Sequence, residues 1–142
     1  MKTKQDFVNK IHLVISVIIV IPAALIYGFE PKLLLDMYAE TVDERNFHMA
    51  IMGLYLGFSL LWILGITKED YFKLALISNI IFMSGLAFGR ILSIFLDGLP
   101  TSFYLYGTIG ELVLGVYGVY VLSKLSKNPN FAIKSILLGK NR

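Results

Sequence analysis

Long apolar stretches recur four times along the chain, and polar residues are concentrated between them. The stretches cover about residues 11–27, 47–66, 72–95 and 103–125. Each is close to the length that an α-helix needs to cross about 30 Å of hydrocarbon. None alternates apolar and polar residues as the strands of a membrane barrel do. Because the backbone in lipid must form helices or a closed barrel, the pattern predicts an all-α integral membrane protein. We expect a four-helix transmembrane bundle that forms a single domain over residues 1–142.

The composition agrees with a chain whose surface faces lipid. Of its 142 residues, 56% are hydrophobic and only 16% are charged, and the mean hydropathy is +0.71. A soluble domain of this size needs more charge on its surface. The formal net charge is +3, but the basic residues flank the apolar stretches, which argues against a nucleic-acid partner. The absence of cysteine excludes disulfides, thiolate metal sites and iron–sulfur clusters.

The first apolar stretch follows Lys2, Lys4 and Lys10 and could be mistaken for a signal peptide. Its apolar run is long for a signal peptide, so we expect a retained membrane helix. Pro22 should kink this helix and free the carbonyl group one turn earlier.

Lysine and arginine positions predict the orientation of the chain, because basic residues are enriched in cytoplasmic segments. The N-terminal segment, the connection between the second and third stretches and the C-terminal tail together hold ten of the 13 basic residues. The other two loops hold only Lys32 and Arg45, and Arg90 lies within the third stretch. We therefore predict that both termini are cytoplasmic.

Three short segments outside the spans carry local signals. Thr41 and Glu44 fit a capping box at the start of the second helix. Pro31 could open a short interfacial helix over residues 31–35. In the cytoplasmic tail, residues 126–142, the segment 131–138 reads as a short amphipathic helix on the inner surface of the membrane.

Three charged residues lie in the outer halves of the third and fourth stretches or at their outer edge: Arg90, Asp97 and Glu111. Asp97 follows Arg90 by two helical turns on one face. Arg90 and Glu111 are equally distant from the centre of the intervening loop, so an antiparallel hairpin places them at one depth, about 10 Å below the outer boundary. Because an unpaired charge is costly there, we predict an Arg90–Glu111 ion pair.

One face of the second helix adds further polar side chains to this picture. Residues at three- and four-residue spacing define the face: Arg45, His48, Met52, Tyr55, Ser59 and Trp62. Tyr55 enters the membrane by about two turns, which places its hydroxyl near the level of Arg90 and Glu111. We predict a ligand-binding polar cluster of Tyr55, Arg90, Asp97 and Glu111 in the outer leaflet, with His48 and Arg45 further out.

Each of these polar residues can also have a purely structural role. The Arg90–Glu111 pair can serve only to fix helix register, and Tyr55 can simply fill the core. Asn79, near the middle of the third stretch, is expected to hydrogen-bond across helices. Glycines spaced one turn apart on the last three helices favour close helix packing.

Metal and cofactor sites find little support in the sequence. His12 and His48 lie at opposite sides of the membrane and cannot share a haem iron. Glu44 and His48 are one turn apart, but no third metal ligand accompanies them. The chain has no phosphate loop, dinucleotide fingerprint or nucleophile elbow. We expect no metal, no cofactor and no catalytic residue.

Between about residues 44 and 122 the chain carries a distinctive set of residues and motifs: Arg45, the segments GLYLG (53–57), GRILS (89–93) and DGLP (97–100), and Glu111. With these motifs, this part of the chain resembles a bacterial membrane family known as domain of unknown function 4345. The continuous run GRILSIFLDGLP is the most specific part of the resemblance. The family implies a location in the bacterial cytoplasmic (inner) membrane and carries no assigned activity.

These observations favour a non-enzymatic membrane protein with a polar pocket in the outer leaflet. Its ligand would be a lipid, a quinone or an anionic small molecule, and the chain could also act as an accessory subunit of a membrane complex. Expected partners are membrane lipids, other membrane subunits or further copies of the chain. A membrane-embedded isomerase or proton-transfer enzyme is the first alternative, and a purely structural scaffold is the second.

Overall fold

The computed structural model describes residues 4–29, 32 and 41–127, and these residues form four helices with no β-strand among them. The helices are α1 (Lys4–Phe29), α2 (Val42–Thr67), α3 (Glu69–Asp97) and α4 (Ser102–Ser126). All four are long and apolar enough to cross a membrane. The predicted all-α membrane fold with four spanning helices is therefore confirmed.

The helices extend beyond the apolar stretches that predict them. α1 begins at Lys4 and α2 at Val42, each ahead of its apolar stretch, and only Lys68 separates α2 from α3. Polar residues can continue a helix outside the hydrocarbon, so hydropathy marks the spanning part and misses the helix ends. The predicted interfacial helix over 31–35, apart from residue 32, and the amphipathic segment 131–138 lie outside the described residues. The orientation of the termini stays a prediction.

Local sequence signals explain where α2 begins and where α3 ends. Thr41 Oγ1 accepts a hydrogen bond from the Glu44 amide at 3.2 Å, and Glu44 Oε2 accepts one from the Thr41 amide at 2.9 Å. This is the predicted capping box, and it fixes the start of α2. Gly98 follows α3 with φ +101°, a left-handed conformation that glycine adopts without strain and that ends the helix.

The chain divides into two compact units, residues Met1–Asn79 and Ile80–Arg142. The first unit contains α1, α2 and the start of α3, and α1 packs along α2. Its buried apolar side chains are Leu13, Val20, Ala24, Trp62, Phe72, Ala75 and Leu76. Gly65 allows a close approach of α2 to α3, because a Cβ added there would collide with the Cβ of Ala75.

The second unit contains the rest of α3 together with α4. Met83 and Ala87 of α3 and Val121 of α4 are buried. Gly115 lies against α3, and a Cβ added to it would come within 3.1 Å of Ser84 Oγ. The glycine therefore lets the two helices pack closely on the face that also carries Glu111, four residues earlier.

Candidate functional site

Arg90 and Glu111 meet within the second unit. Arg90 Nη2 lies 3.1 Å from Glu111 Oε1, and the two side chains are 27% and 12% exposed. Each residue is ten positions from the nearer of the two central loop residues, so the antiparallel hairpin of α3 and α4 brings them to one level. Arg90 is seven residues from the end of α3, which places it about 10 Å along the helix axis from that end.

Two residues of α4 complete the surroundings of Arg90. Its Cζ lies 5.6 Å from the centroid of the Tyr104 ring, a cation–π geometry. A Cβ added to Gly107 would lie 3.3 Å from Arg90 Nη1, so this glycine makes room for the guanidinium. The cluster predicted from the sequence included neither Tyr104 nor Gly107. Gly107 lies one turn and Tyr104 two turns before Glu111 on α4, so both share the face of Glu111. Because Glu111 was predicted to pair with Arg90, this spacing could have placed both residues beside Arg90.

Asp97 occupies a different environment from Glu111. It is exposed, and its Oδ2 accepts a hydrogen bond from Ser93 Oγ at 2.9 Å. Within the described part of the chain, Glu111 is the carboxylate that lies within salt-bridge distance of Arg90. Asp97 therefore sits at the mouth of the hairpin, where its hydrogen bond spans one turn of its own helix.

The other predicted site residues belong to α2 and the first unit. Tyr55 is half-buried and packs edge to face on Tyr27, with ring centroids 5.7 Å apart. His48 is buried, and Arg45 is exposed in the first turns of α2. The grouping of these three residues with Arg90, Asp97 and Glu111 stays a prediction.

Glu44 has a structural role at the start of α2, because its carboxylate accepts the hydrogen bond from the Thr41 amide that completes the capping box. Over the described residues, no group of three His, Asp or Glu side chains comes close enough to hold a metal ion.

Sequence reasoning missed a buried lysine in the first unit. Lys10 is 3% exposed, and its Nζ lies 2.6 Å from Glu69 Oε1 and 3.2 Å from the carbonyl oxygen of Ile66. The same ammonium lies 5.3 Å from the centroid of the Phe72 ring. Lys10 thus ties α1 to the end of α2 and the start of α3. The signal in the sequence is a lysine at the first edge of the first apolar stretch and a glutamate at the start of α3.

Several buried polar atoms in the spanning helices have no hydrogen-bond partner among the described residues. They include Glu111 Oε2, His48 Nδ1, Ser59 Oγ and both amide atoms of Asn79. The expectation that Asn79 hydrogen-bonds across helices is therefore wrong for this part of the chain. Its side chain is completely buried with its amide unsatisfied.

A family model described as "Domain of unknown function (DUF4345)" matches residues 8–122. The match covers about four-fifths of the chain and takes in α1, which the sequence resemblance to residues 44–122 left out. No curated protein and no solved structure matches the chain. The matched range contains all four spanning helices apart from the outermost residues of α1 and α4, and it includes Arg90 and Glu111. The chain therefore belongs to the DUF4345 family of uncharacterised proteins.

Proposed function

We propose that this protein binds the polar head of a lipid, quinone or anionic small molecule at Arg90, in the outer leaflet of the bacterial cytoplasmic membrane. The observation that carries the proposal is that Arg90 is held in place on one side and remains accessible on the other. Glu111 lies 3.1 Å from one of its nitrogens, yet 27% of the arginine side chain stays exposed. A charged group at this position in a spanning helix is a candidate for function.

The chemistry of the guanidinium supports ligands that carry acceptor oxygens. Arginine offers five N–H donors in a planar fork, which suits two oxygens of one phosphate or carboxylate group. The contact with Glu111 engages Nη2, and Tyr104 covers a face of the guanidinium. The remaining donors could bind phosphate oxygens, a carboxylate or the carbonyl oxygens of a quinone.

Glu111 would act as the counter-ion that makes Arg90 tolerable in a spanning segment. A lone guanidinium in hydrocarbon is costly, and a neighbouring carboxylate offsets much of that cost. Asp97, exposed near the end of α3, would disfavour entry of strongly anionic groups from water and so favours ligands that arrive from the membrane.

The location of the site in the outer leaflet rests on the distribution of basic residues. The predicted cytoplasmic segments hold ten lysines and arginines, whereas the loop between α3 and α4 holds none. This bias orients multi-pass proteins with the basic segments inside. Both termini are then cytoplasmic, and Arg90 lies toward the outer surface. Membrane lipids, another membrane subunit or a second copy of the chain are the partners that this location offers.

A second candidate function is proton transfer at Glu111, as in a membrane-embedded isomerase. It is favoured by Glu111 Oε2, a buried oxygen with no hydrogen-bond partner among the described residues. Binding ranks first because Arg90 already holds the other carboxylate oxygen of Glu111 at 3.1 Å and keeps donors of its own exposed. A scaffold role would need neither the exposed donors of Arg90 nor a ligand.

Native mass spectrometry of the protein, purified in mild detergent, tests the proposal. We expect the parent to retain a non-protein molecule of lipid or quinone mass, and Arg90→Met combined with Glu111→Gln to lose it. Lys124→Met is the matched control, because Lys124 is an exposed basic residue near the end of α4. Equal retention of the same molecule by all three proteins would contradict a site at Arg90.

A further inference from the structure

Ser59 and Asn79 are buried polar side chains of the first unit for which the described residues provide no hydrogen-bond partner, and neither belongs to the proposed site. Ser59 of α2 and Asn79 of α3 are 1% and 0% exposed. Ser59 Oγ, Asn79 Oδ1 and Asn79 Nδ2 have no hydrogen-bond partner among the residues that the structure describes. Buried polar groups in proteins are nearly always hydrogen-bonded, to protein or to an ordered water. Three unsatisfied atoms in spanning helices therefore require an explanation.

Observed contacts place the two side chains at similar depth. Trp62 Nε1 donates to Ser78 Oγ at 3.2 Å, and Gly65 lies against Ala75. Trp62 and Ser78 are each eight residues from residue 70, and Gly65 and Ala75 are each five residues from it. Residue 70 is therefore the centre of the antiparallel register of α2 and α3. Ser59 and Asn79 lie eleven and nine residues from that centre. They therefore differ by about 3 Å along the helix axes.

Each of the two residues also lies within one helical turn of a residue that contacts the other helix. Ser59 and Trp62 are three residues apart on the buried face of α2, and Ala75 and Asn79 are four apart on that of α3. Ser59 lies between one and two helical turns from Gly65, and Asn79 lies about one turn from Ala75, both further into the membrane than the Gly65–Ala75 contact. A small molecule located there could reach both of them.

We propose that Ser59 and Asn79 bind an internal water molecule within the first unit. A water can accept a hydrogen bond from Asn79 Nδ2 and donate to Ser59 Oγ, or donate to Asn79 Oδ1 and accept from the hydroxyl. A cation is a poorer match, because it needs about six oxygen ligands and would face the amide N–H groups of Asn79. The water would join α2 and α3 deep in the spanning region.

A double-mutant cycle tests whether the two residues share a ligand. If one water bridges them, Ser59→Ala and Asn79→Leu each lower the midpoint of thermal unfolding in detergent, and the double variant loses less than the sum of the two shifts. Thr108→Val provides the control, since it removes another buried hydroxyl, one that donates to Tyr104 O in the second unit. Combined with Ser59→Ala, it should give additive shifts.

Two results of this cycle would overturn the proposal. If Asn79→Leu raises the midpoint, the amide is buried dry and its removal relieves an unsatisfied group. If the shifts of Ser59→Ala and Asn79→Leu add in full, the residues share no ligand.

Hydroxyl-radical footprinting provides a second test, and its deciding result comes from the parent protein. Trp62 is completely buried, three residues from Ser59, so radicals reach it only from an internal water. We expect labelling of Trp62 in the parent and its fall to background in the Ser59→Ala, Asn79→Leu double variant. A parent in which Trp62 stays unlabelled would contradict the proposal.

Discussion

Arg90 and Glu111 lie 3.1 Å apart and at equal distances from the loop that joins their helices. The relationship follows from the geometry of an antiparallel hairpin, in which residues equidistant from the turn reach the same level. It also explains how a spanning segment tolerates an arginine. The remaining exposure of that arginine is the feature on which the proposed binding site rests.

Removing one member of this pair should destabilise the protein. Arg90→Ala and Glu111→Ala each leave a charge without its partner in a low-dielectric environment, at a cost of roughly 1–3 kcal/mol, since Arg90 is partly exposed. The combination of Arg90→Met with Glu111→Gln leaves no unpaired charge and should recover most of the loss. Thermal unfolding in detergent measures all three. Single and double variants as stable as the parent would show that the contact contributes nothing.

Lys10 should contribute more to stability than its exposed partner. Lys10→Met removes the ammonium from Glu69, the Ile66 carbonyl and the Phe72 ring together, and we expect a loss of about 1–3 kcal/mol. Glu69 is 62% exposed, so Glu69→Gln should cost no more than about 1 kcal/mol. Lys68→Met, which removes an exposed lysine between α2 and α3, is the control for loss of charge. Equal losses for Lys10→Met and Lys68→Met would argue against the contacts of Lys10.

The glycines of α2 provide a test of helix packing within the first unit. Gly65→Ala places a methyl group against Ala75 and should destabilise by about 1–3 kcal/mol, the range for overpacking. Gly57→Ala is the matched control in the same helix, because a Cβ there meets nothing within 4 Å. It should be neutral or stabilise by up to about 1 kcal/mol through helix propensity. A reversal of this order in unfolding experiments would contradict the close approach of α2 to α3.

Topology is tested by reporter fusions. Reporters joined after Lys2 and after Arg142 should read as cytoplasmic, and a reporter near Asp36 should read as exported, because the basic residues are concentrated on one side. An exported C-terminus together with a cytoplasmic N-terminus would mean an odd number of crossings and would contradict the predicted topology.

Much of the fold and part of the site were predictable from the sequence. Hydropathy identifies four spans because lipid exposure requires long apolar runs, and the capping box follows from Thr41 and Glu44. The level of Arg90 and Glu111 follows from counting residues around a short loop. Side-chain direction was not predictable in the same way. Lys10 contacts the residues on either side of Lys68, and Tyr104 lies against the guanidinium of Arg90. Both contacts depend on how each helix is rotated about its own axis, and hydropathy does not determine that rotation.

Asn79 illustrates the same limit. Its position in the third span predicted a hydrogen bond across helices, since an amide in lipid needs a partner. Its complete burial follows from its place on the face with Ala75 and Leu76. Which atom a buried amide contacts depends on distances of a few tenths of an ångström between neighbouring helices, and these cannot be obtained from the spacing of residues along one helix.

The most direct test of the account is an experimental structure of the parent protein in native lipid, inspected beside Arg90. We expect non-protein density whose polar end lies within about 2.7–3.2 Å of the guanidinium nitrogens, on the side away from Glu111. Density of that kind would also identify the ligand as a phospholipid, a quinone or a small anion. An Arg90 surrounded only by protein side chains and acyl chains, with no polar group from another molecule at its N–H donors, would contradict a binding site there.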